Sequence, residues 1–147
     1  MKRNLFLSAG LLLGAILVAA CGSQAPADSS HDGPATDYVN LIDALRAKGA
    51  TIEPNGDVSQ PFFTVEGQGI QVNGQDVQVF EYPDEAAANA DSVLVAPGGS
   101  SVGTTMVSWV SPPHFYHAGR QIVLYVGDDA TTIDLLDTVL GSQFAGA

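Results

Sequence analysis

The segment from Trp109 to Gly119 concentrates the side chains best suited to chemistry or to binding. It reads WVSPPHFYHAG and holds the only tryptophan of the chain together with two of its three histidines, His114 and His117. Histidine exchanges a proton near neutral pH and is a common metal ligand. One of these histidines could therefore act as a general base beside a carboxylate, as in a small hydrolase, or the pair could bind a metal ion.

The spacing of the two histidines argues against a metal site. Residues three apart in a β-strand point to opposite faces of the sheet. If residues 114–117 form a strand, His114 and His117 cannot converge on one ion. The acidic residues are scattered and do not match the spacing of a calcium-binding loop. We therefore predict neither a metal nor a cofactor.

No nucleophile is recognisable beside the histidines. The connection from Ala96 to Thr105 (APGGSSVGTT) is rich in glycine and serine. Its two serines, Ser100 and Ser101, lack the G-x-S-x-G pattern that exposes a hydrolase nucleophile. The connection also lacks the lysine of a phosphate-binding loop. It is more simply interpreted as a long link between a helix and a strand.

The aromatic side chains of the Trp109 segment allow two further interpretations. The segment could be an aromatic-rich hairpin that packs over the edge of the core. Alternatively, it could be a recognition surface, because rigid aromatic rings make good contact anchors. In the second case the partner-binding residues would be Trp109, His114, Phe115, Tyr116 and His117.

Three helices are predicted to position this segment. Residues 38–48 carry apolar side chains at i, i+3, i+4 and i+7, which is typical of an amphipathic helix. A second helix is predicted from about residue 84 to residue 95, because a proline and two acids begin it. A third helix is predicted between Asp128-Asp129, which suit an N-terminal cap, and Gly141, which suits a helix end.

Six short β-prone runs are predicted between and after the helices. The dipeptide Asn73-Gly74 is a strong signal for a two-residue hairpin turn. The runs are residues 62–66, 70–73, 77–82, 105–110, 114–117 and 121–126.

The order of elements predicts an α+β domain over residues 37–147. Short connections favour an antiparallel sheet with the helices packed on one face, which would leave the opposite face free for a partner. An offset of 45 residues places Gly74 on Gly119 and Val77 on Ile122. This suggests a tandem αβββ pseudo-repeat, written α-βββ-α-βββ-α, although chance similarity would explain the same pattern.

The N-terminal residues have the pattern of a secretory signal. Lys2 and Arg3 precede a mostly apolar run, LFLSAGLLLGAILVAA, which ends immediately before Cys21. This pattern resembles the lipobox of bacterial lipoproteins. The resemblance implies that residues 1–20 are a signal peptide and that Cys21 is acylated, for example with palmitate, as the first mature residue. Residues 21–36 would then form the lipidated terminus and a flexible tether.

The charge of the mature chain limits its partners. Without residues 1–20, three basic side chains stand against 16 acidic ones, a formal charge of −13. Nucleic acid is excluded as a partner, because phosphate contacts need clustered Lys or Arg. The predicted partners are the membrane, through the lipid on Cys21, and an unknown protein.

These patterns together predict a lipid-anchored envelope protein with a non-catalytic binding or accessory function. It would lie at the outer membrane of a diderm bacterium or at the outer face of a single cell membrane. Two other functions are open. One is a small hydrolase-like envelope enzyme that uses His114 or His117, and the other is an enzyme inhibitor that presents the loop at residues 96–105.

Overall fold

The computed structural model describes residues 33–147. The predicted signal peptide, Cys21 and the tether as far as residue 32 lie outside this range. The helices are α1 (Tyr38–Ala47), α2 (Glu85–Ser92) and α3 (Ala130–Leu140). The strands are β1 (Ile52–Val58), β2 (Gly67–Val72), β3 (Gln75–Glu81), β4 (Ser101–Val102), β5 (Thr105–Met106), β6 (Pro113–Ala118), β7 (Gln121–Val126) and β8 (Ala145–Gly146).

Six strands form one sheet in the order β1-β2-β3-β7-β6-β8, and β4 and β5 form a separate two-stranded sheet. Each neighbouring pair is antiparallel. The prediction of an α+β domain built on an antiparallel sheet is confirmed. Strands β3 and β7 occupy the centre, so the two halves of the chain meet there.

An aspartate immediately before each helix caps its N-terminus. The side chains of Asp37, Asp84 and Asp129 accept hydrogen bonds from the backbone N–H three residues further on. A carboxylate at this position satisfies a free helical donor and complements the helix dipole. The predicted start of α3 and its stop at Gly141, which has a φ of 86°, are therefore confirmed.

The helices cover both faces of the sheet, which differs from the predicted one-sided arrangement. Helices α1 and α3 pack on the first face, where Leu45 and Leu136 belong to the same core cluster as Val123 of the sheet. Helix α2 packs on the second face, where Ala88 belongs to the cluster around Leu124. Strand β7 is buried at five consecutive positions, so it needs cover on both sides. The second sheet face, which was expected to be free for a partner, is therefore covered by α2.

Two predicted strands are replaced by other structure. Residues 62–66 form turns rather than a strand, and Phe63 packs into the second-face core. Of the run 105–110, only Thr105–Met106 is a strand, paired with Ser101–Val102. In both places the apolar residues suggested β-structure, but Phe63 in the first run and Trp109 in the second pack on the second-face core and hold loops to the sheet.

The predicted 45-residue repeat is not reflected in the architecture. Val77 lies in the first-face cluster, whereas its sequence counterpart Ile122 lies in the second-face cluster. The hairpins β2-β3 and β6-β7 meet as antiparallel neighbours. A two-fold axis between them would place the helices that follow on the same face, but α2 and α3 lie on opposite faces. Hairpin followed by helix is thus a shared local pattern rather than a structural duplication.

The last residues assigned to the tether pack on the domain. Ala35 is buried, and its backbone N–H donates to the carbonyl of Val139 over 2.8 Å. The carbonyl of Ala35 accepts from the side-chain amide of Gln121, also over 2.8 Å. The folded domain therefore includes these residues.

Candidate functional site

Strand β6 carries four of the five predicted partner-binding residues. It lies between β7 and β8, so both of its edges are at least partly paired. His114 and Tyr116 point to the first face, and Phe115 and His117 point to the second, as the alternation of a strand requires. The prediction that the two histidines do not converge is confirmed, and they cannot share one metal ion.

His114 is buried, with 5% of its surface exposed. Its Nε2 lies 3.0 Å from the carbonyl oxygen of Gly127, and its Nδ1 lies 2.8 Å from Oε1 of Gln143. The imidazole stacks on Tyr125 with a centroid separation of 5.8 Å. Both ring nitrogens are engaged with neighbouring groups of the protein. This arrangement fixes the C-terminal segment and leaves no ring nitrogen directed at a substrate.

Phe115 and Tyr116 are fully buried. Neither can contact a partner directly, so the burial of these residues and of His114 corrects their assignment as binding residues. The Tyr116 hydroxyl has no hydrogen-bond partner among residues 33–147 that meets ordinary distance and angle limits. Burial raises the pKa of this hydroxyl, and the carboxylates of Asp137 and Asp134 raise it further.

Trp109 is half-buried and connects several loops on the second face. Its indole N–H donates to the carbonyl of Gly99 over 2.7 Å. Its ring makes edge-to-face contacts with Phe115 at 5.8 Å and with Phe62 at 6.2 Å. Phe62 in turn contacts Phe63, which packs on Phe80. Trp109 therefore packs between these loops and the sheet, in agreement with the interpretation of this segment as an aromatic-rich hairpin that packs over the edge of the core.

His117 is half-buried at the edge of this aromatic cluster. Its Nε2 lies 3.2 Å from the carbonyl oxygen of Gly119, and its ring meets Phe144 edge-to-face at 6.3 Å. Phe144 is 38% exposed. His117 is therefore the predicted histidine that retains access to solvent.

The predicted loop at residues 96–105 is held against the domain rather than extended away from it. Gly99 and Val102 are buried. Backbone hydrogen bonds join Ala96 to Ser101 and Gly103 to Leu94. A side chain at Gly99 would also collide with Pro113, at 2.9 Å from its Cγ. The exposed residues of this loop are Pro97, Gly98, Ser100, Gly103 and Thr104.

Exposed apolar side chains are concentrated in the layer that covers the second face. We call four of them the loop surface. They are Val93 (70% exposed), Leu94 (48%), Met106 (80%) and Val110 (97%).

The register of the short strands explains why two of these side chains point outward. Val95 and Val102 form an antiparallel bridge and are both buried. Ser101 pairs with Met106, and it follows that this pair faces away from Val102. Leu94, the neighbour of Val95, also faces outward. Leu94 and Met106 thus lie on the same outward face of these strands. Exposed apolar patches mark interaction sites, and the prediction of a Gly/Ser-rich connection did not identify these positions.

A buried carboxylate anchors the turns at residues 61–65. Oδ2 of Asp91 accepts hydrogen bonds from the backbone N–H of Thr64, from the hydroxyl of Thr64 and from the hydroxyl of Tyr82, at 2.8, 2.8 and 2.9 Å. Burial raises the pKa of Tyr82 above its ordinary value, and Asp91 raises it further. Asp91 thus holds a loop to the core, and its position in an Ala-rich helix gave no signal of this role.

Two concave regions of about 290 Å³ flank helix α1. Neither is lined by His114 or His117, so neither provides the histidine–acid–nucleophile pocket that the enzyme hypothesis requires. Within residues 33–147, no group of three or more His, Cys, Asp or Glu side chains is placed to hold a metal ion.

Comparisons with known proteins give no relatives. No family model, no curated protein and no solved structure matches the chain. Among the helices of residues 33–147, none is long and apolar enough to cross a membrane.

Proposed function

We propose that this protein is a non-catalytic binding module of the cell envelope, anchored to a membrane through lipid on Cys21. The anchor rests on the lipobox pattern of the first 21 residues. The observation that carries the binding role is the loop surface, where Val110 and Met106 are among the most exposed large apolar side chains of the domain.

The loop surface suits a protein partner because it is apolar and well supported. Exposing four large aliphatic side chains has an unfavourable free energy unless a partner covers them. Trp109 and Gly99 hold the underlying loops through the indole hydrogen bond. A rigid surface loses little conformational entropy on binding, which favours affinity. The contact residues of this proposal are therefore neighbours of Trp109 rather than the residues of β6.

Crosslinking in intact native cells tests the proposal. The wild-type chain is compared with Met106→Asp and Val110→Asp, which place a charge on the loop surface without removing any buried group. Thr131→Asp is the matched control, because Thr131 is exposed on α3 and belongs to neither the loop surface nor the lining of a concave region. We expect one dominant protein to be captured by the wild type and the control and lost in the two loop variants. Equal capture by all four proteins, or capture by none, would contradict the proposal.

A further inference from the structure

A groove runs between helix α1 and the edge strand β1 on the first face. It has a volume of about 290 Å³ and an apolar lining that includes Val39, Ile42, Ile52, Pro54 and Ile70. Asp43 and Arg46 are the charged residues that line it. Among residues 33–147, no strand pairs with the outer side of β1, so within the described domain the groove lies beside a free sheet edge.

We propose that this groove binds an extended peptide of the pattern apolar–basic–apolar, which adds a strand antiparallel to β1. The site is distinct from the loop surface and does not depend on it. Strand addition combines main-chain hydrogen bonds at a free edge with pockets for alternate side chains. Both features are present at β1.

The backbone of β1 determines where such a peptide can pair. The N–H of Asn73 donates to the carbonyl of Thr51, and the N–H of Thr51 donates to the Asn73 side chain. The backbone N–H and C=O groups of successive residues in an antiparallel strand point alternately toward one side neighbour and toward the other. The N–H and C=O of Ile52 and the C=O of Pro54 therefore point to the free edge. The irregular register between Pro54 and Asp57 ends the accessible stretch, which limits pairing to about three residues.

The side chains at this edge determine the preferred sequence. Peptide residues opposite Ile52 and Pro54 would direct their side chains into the apolar groove, since directly opposed residues share a face. The residue between them would lie opposite Glu53 on the other face. Glu53, Gln71 and Asp76 are aligned across three strands, and Glu53 is exposed. A lysine or arginine at the middle position is therefore complementary in charge.

Charge also argues against a second copy of this chain as the occupant. Two β1 strands paired about a two-fold axis at Glu53 would bring like carboxylates together, which is unfavourable. The mature chain has 16 acidic and three basic residues, so other segments of it offer few lysines or arginines. The partner is thus a different protein with a basic, extended segment.

Titration of a fluorescent, end-capped peptide TVKVT onto the full-length chain in detergent tests this proposal. We expect a dissociation constant in roughly the high micromolar range, because few groups are engaged. Methylation of the backbone amide nitrogen of the second valine, which would face Ile52, removes a hydrogen-bond donor and should weaken binding about tenfold or more. Methylation of the backbone amide nitrogen of the lysine, which would point away from β1, should leave binding unchanged.

Variants of the protein complete the test. Val39→Asp should weaken TVKVT binding about tenfold, since it places a charge in the apolar lining. Thr131→Asp, at an exposed position on α3 outside the groove and the loop surface, should have no effect. Glu53→Lys should transfer the preference from TVKVT to TVEVT. Absence of binding at millimolar peptide, equal binding of both methylated peptides, or concentration-dependent dimerisation blocked by Val39→Asp would overturn the proposal. None of these results would affect capture at the loop surface.

Discussion

The hydroxyl of Tyr82 donates a hydrogen bond of 2.9 Å to Oδ2 of Asp91, inside the core between the sheet and α2. The same oxygen accepts two hydrogen bonds from Thr64. A single carboxylate therefore connects the end of β3, helix α2 and the turns after β1. Because the turns carry Phe62 and Phe63, this connection also positions the aromatic cluster beneath the loop surface.

Replacing Asp91 by Ala should be strongly destabilising. It leaves the hydroxyl of buried Tyr82 and two donors of Thr64 without their acceptor. We expect the free energy of unfolding to fall by about 2–4 kcal/mol, measured by urea denaturation. The double variant Asp91→Ala/Tyr82→Phe should be less destabilised than the sum of the single changes. Strictly additive effects would contradict a direct interaction.

The cap of α3 gives a pH-dependent contribution to stability. Hydrogen bonds from the side chain and the backbone N–H of Thr132 lower the pKa of Asp129 below its ordinary value. A lowered pKa in the folded state stabilises the fold above the ordinary pKa of aspartate, and this contribution is lost as the pH falls through the lowered value. Asp129→Asn should therefore lower Tm at pH 7 and flatten its decrease on acidification. Asp128→Asn is the control, because Asp128 does not provide the cap, and an identical pH profile for both variants would be evidence against the assignment.

Trp109 should be needed for stability as well as for the shape of the loop surface. Trp109→Ala removes the indole bond to Gly99 and the contacts with Phe62 and Phe115. We expect a loss of about 2–4 kcal/mol in the free energy of unfolding, somewhat less than the roughly 3–5 kcal/mol for a fully buried tryptophan, because Trp109 is only half-buried. Val110→Ala, at the adjacent and almost fully exposed position, should change it by less than about 0.5 kcal/mol. A similar loss in the two variants would rule out the supporting role of Trp109.

Cys21 should determine membrane attachment. Cys21→Ser removes the thiol that the lipobox resemblance marks for acylation, so incorporation of labelled palmitate should be abolished. The variant should leave the membrane fraction, whereas Ser23→Ala should behave as wild type. Continued labelling of Cys21→Ser, or its retention in the membrane fraction after an alkaline wash, would show that another part of the chain provides the attachment.

Local signals in the sequence predicted the three helices and the turn between β2 and β3, but they predicted neither every strand nor the placement of the elements. The aspartate caps and the turn at Asn73-Gly74 depend on neighbouring residues alone, and both central turn residues have positive φ, at 51° and 84°. By contrast, the face that α2 covers depends on β7, which is buried on both sides. The turns at Phe62 and Phe63 likewise depend on Trp109, which is distant in sequence.

The same distinction applies to the candidate site. Aromatic composition predicted that the rings of the Trp109 segment pack at the edge of the core, and Trp109 and Phe115 do so. Composition could not separate Phe115 and Tyr116, which fill the core, from Val110, which is exposed, because that separation requires the strand register. Asp91 was not predicted, since its three donors come from two distant parts of the chain.

The contact between the two ends of the domain has a consequence for the order of folding. The side-chain amide of Gln121, in the central strand β7, donates to the carbonyl of Ala35 across 86 positions of the chain. The backbone N–H of Ala35 donates in turn to the carbonyl of Val139 in the last helix. Contacts of such long range are slow to form, because chain entropy is lost before they are gained. An N-terminal portion emerging first would lack the strands and the helix that bury α1. The chain should therefore stay unfolded until nearly all of it is available, which would suit passage through a membrane channel before folding.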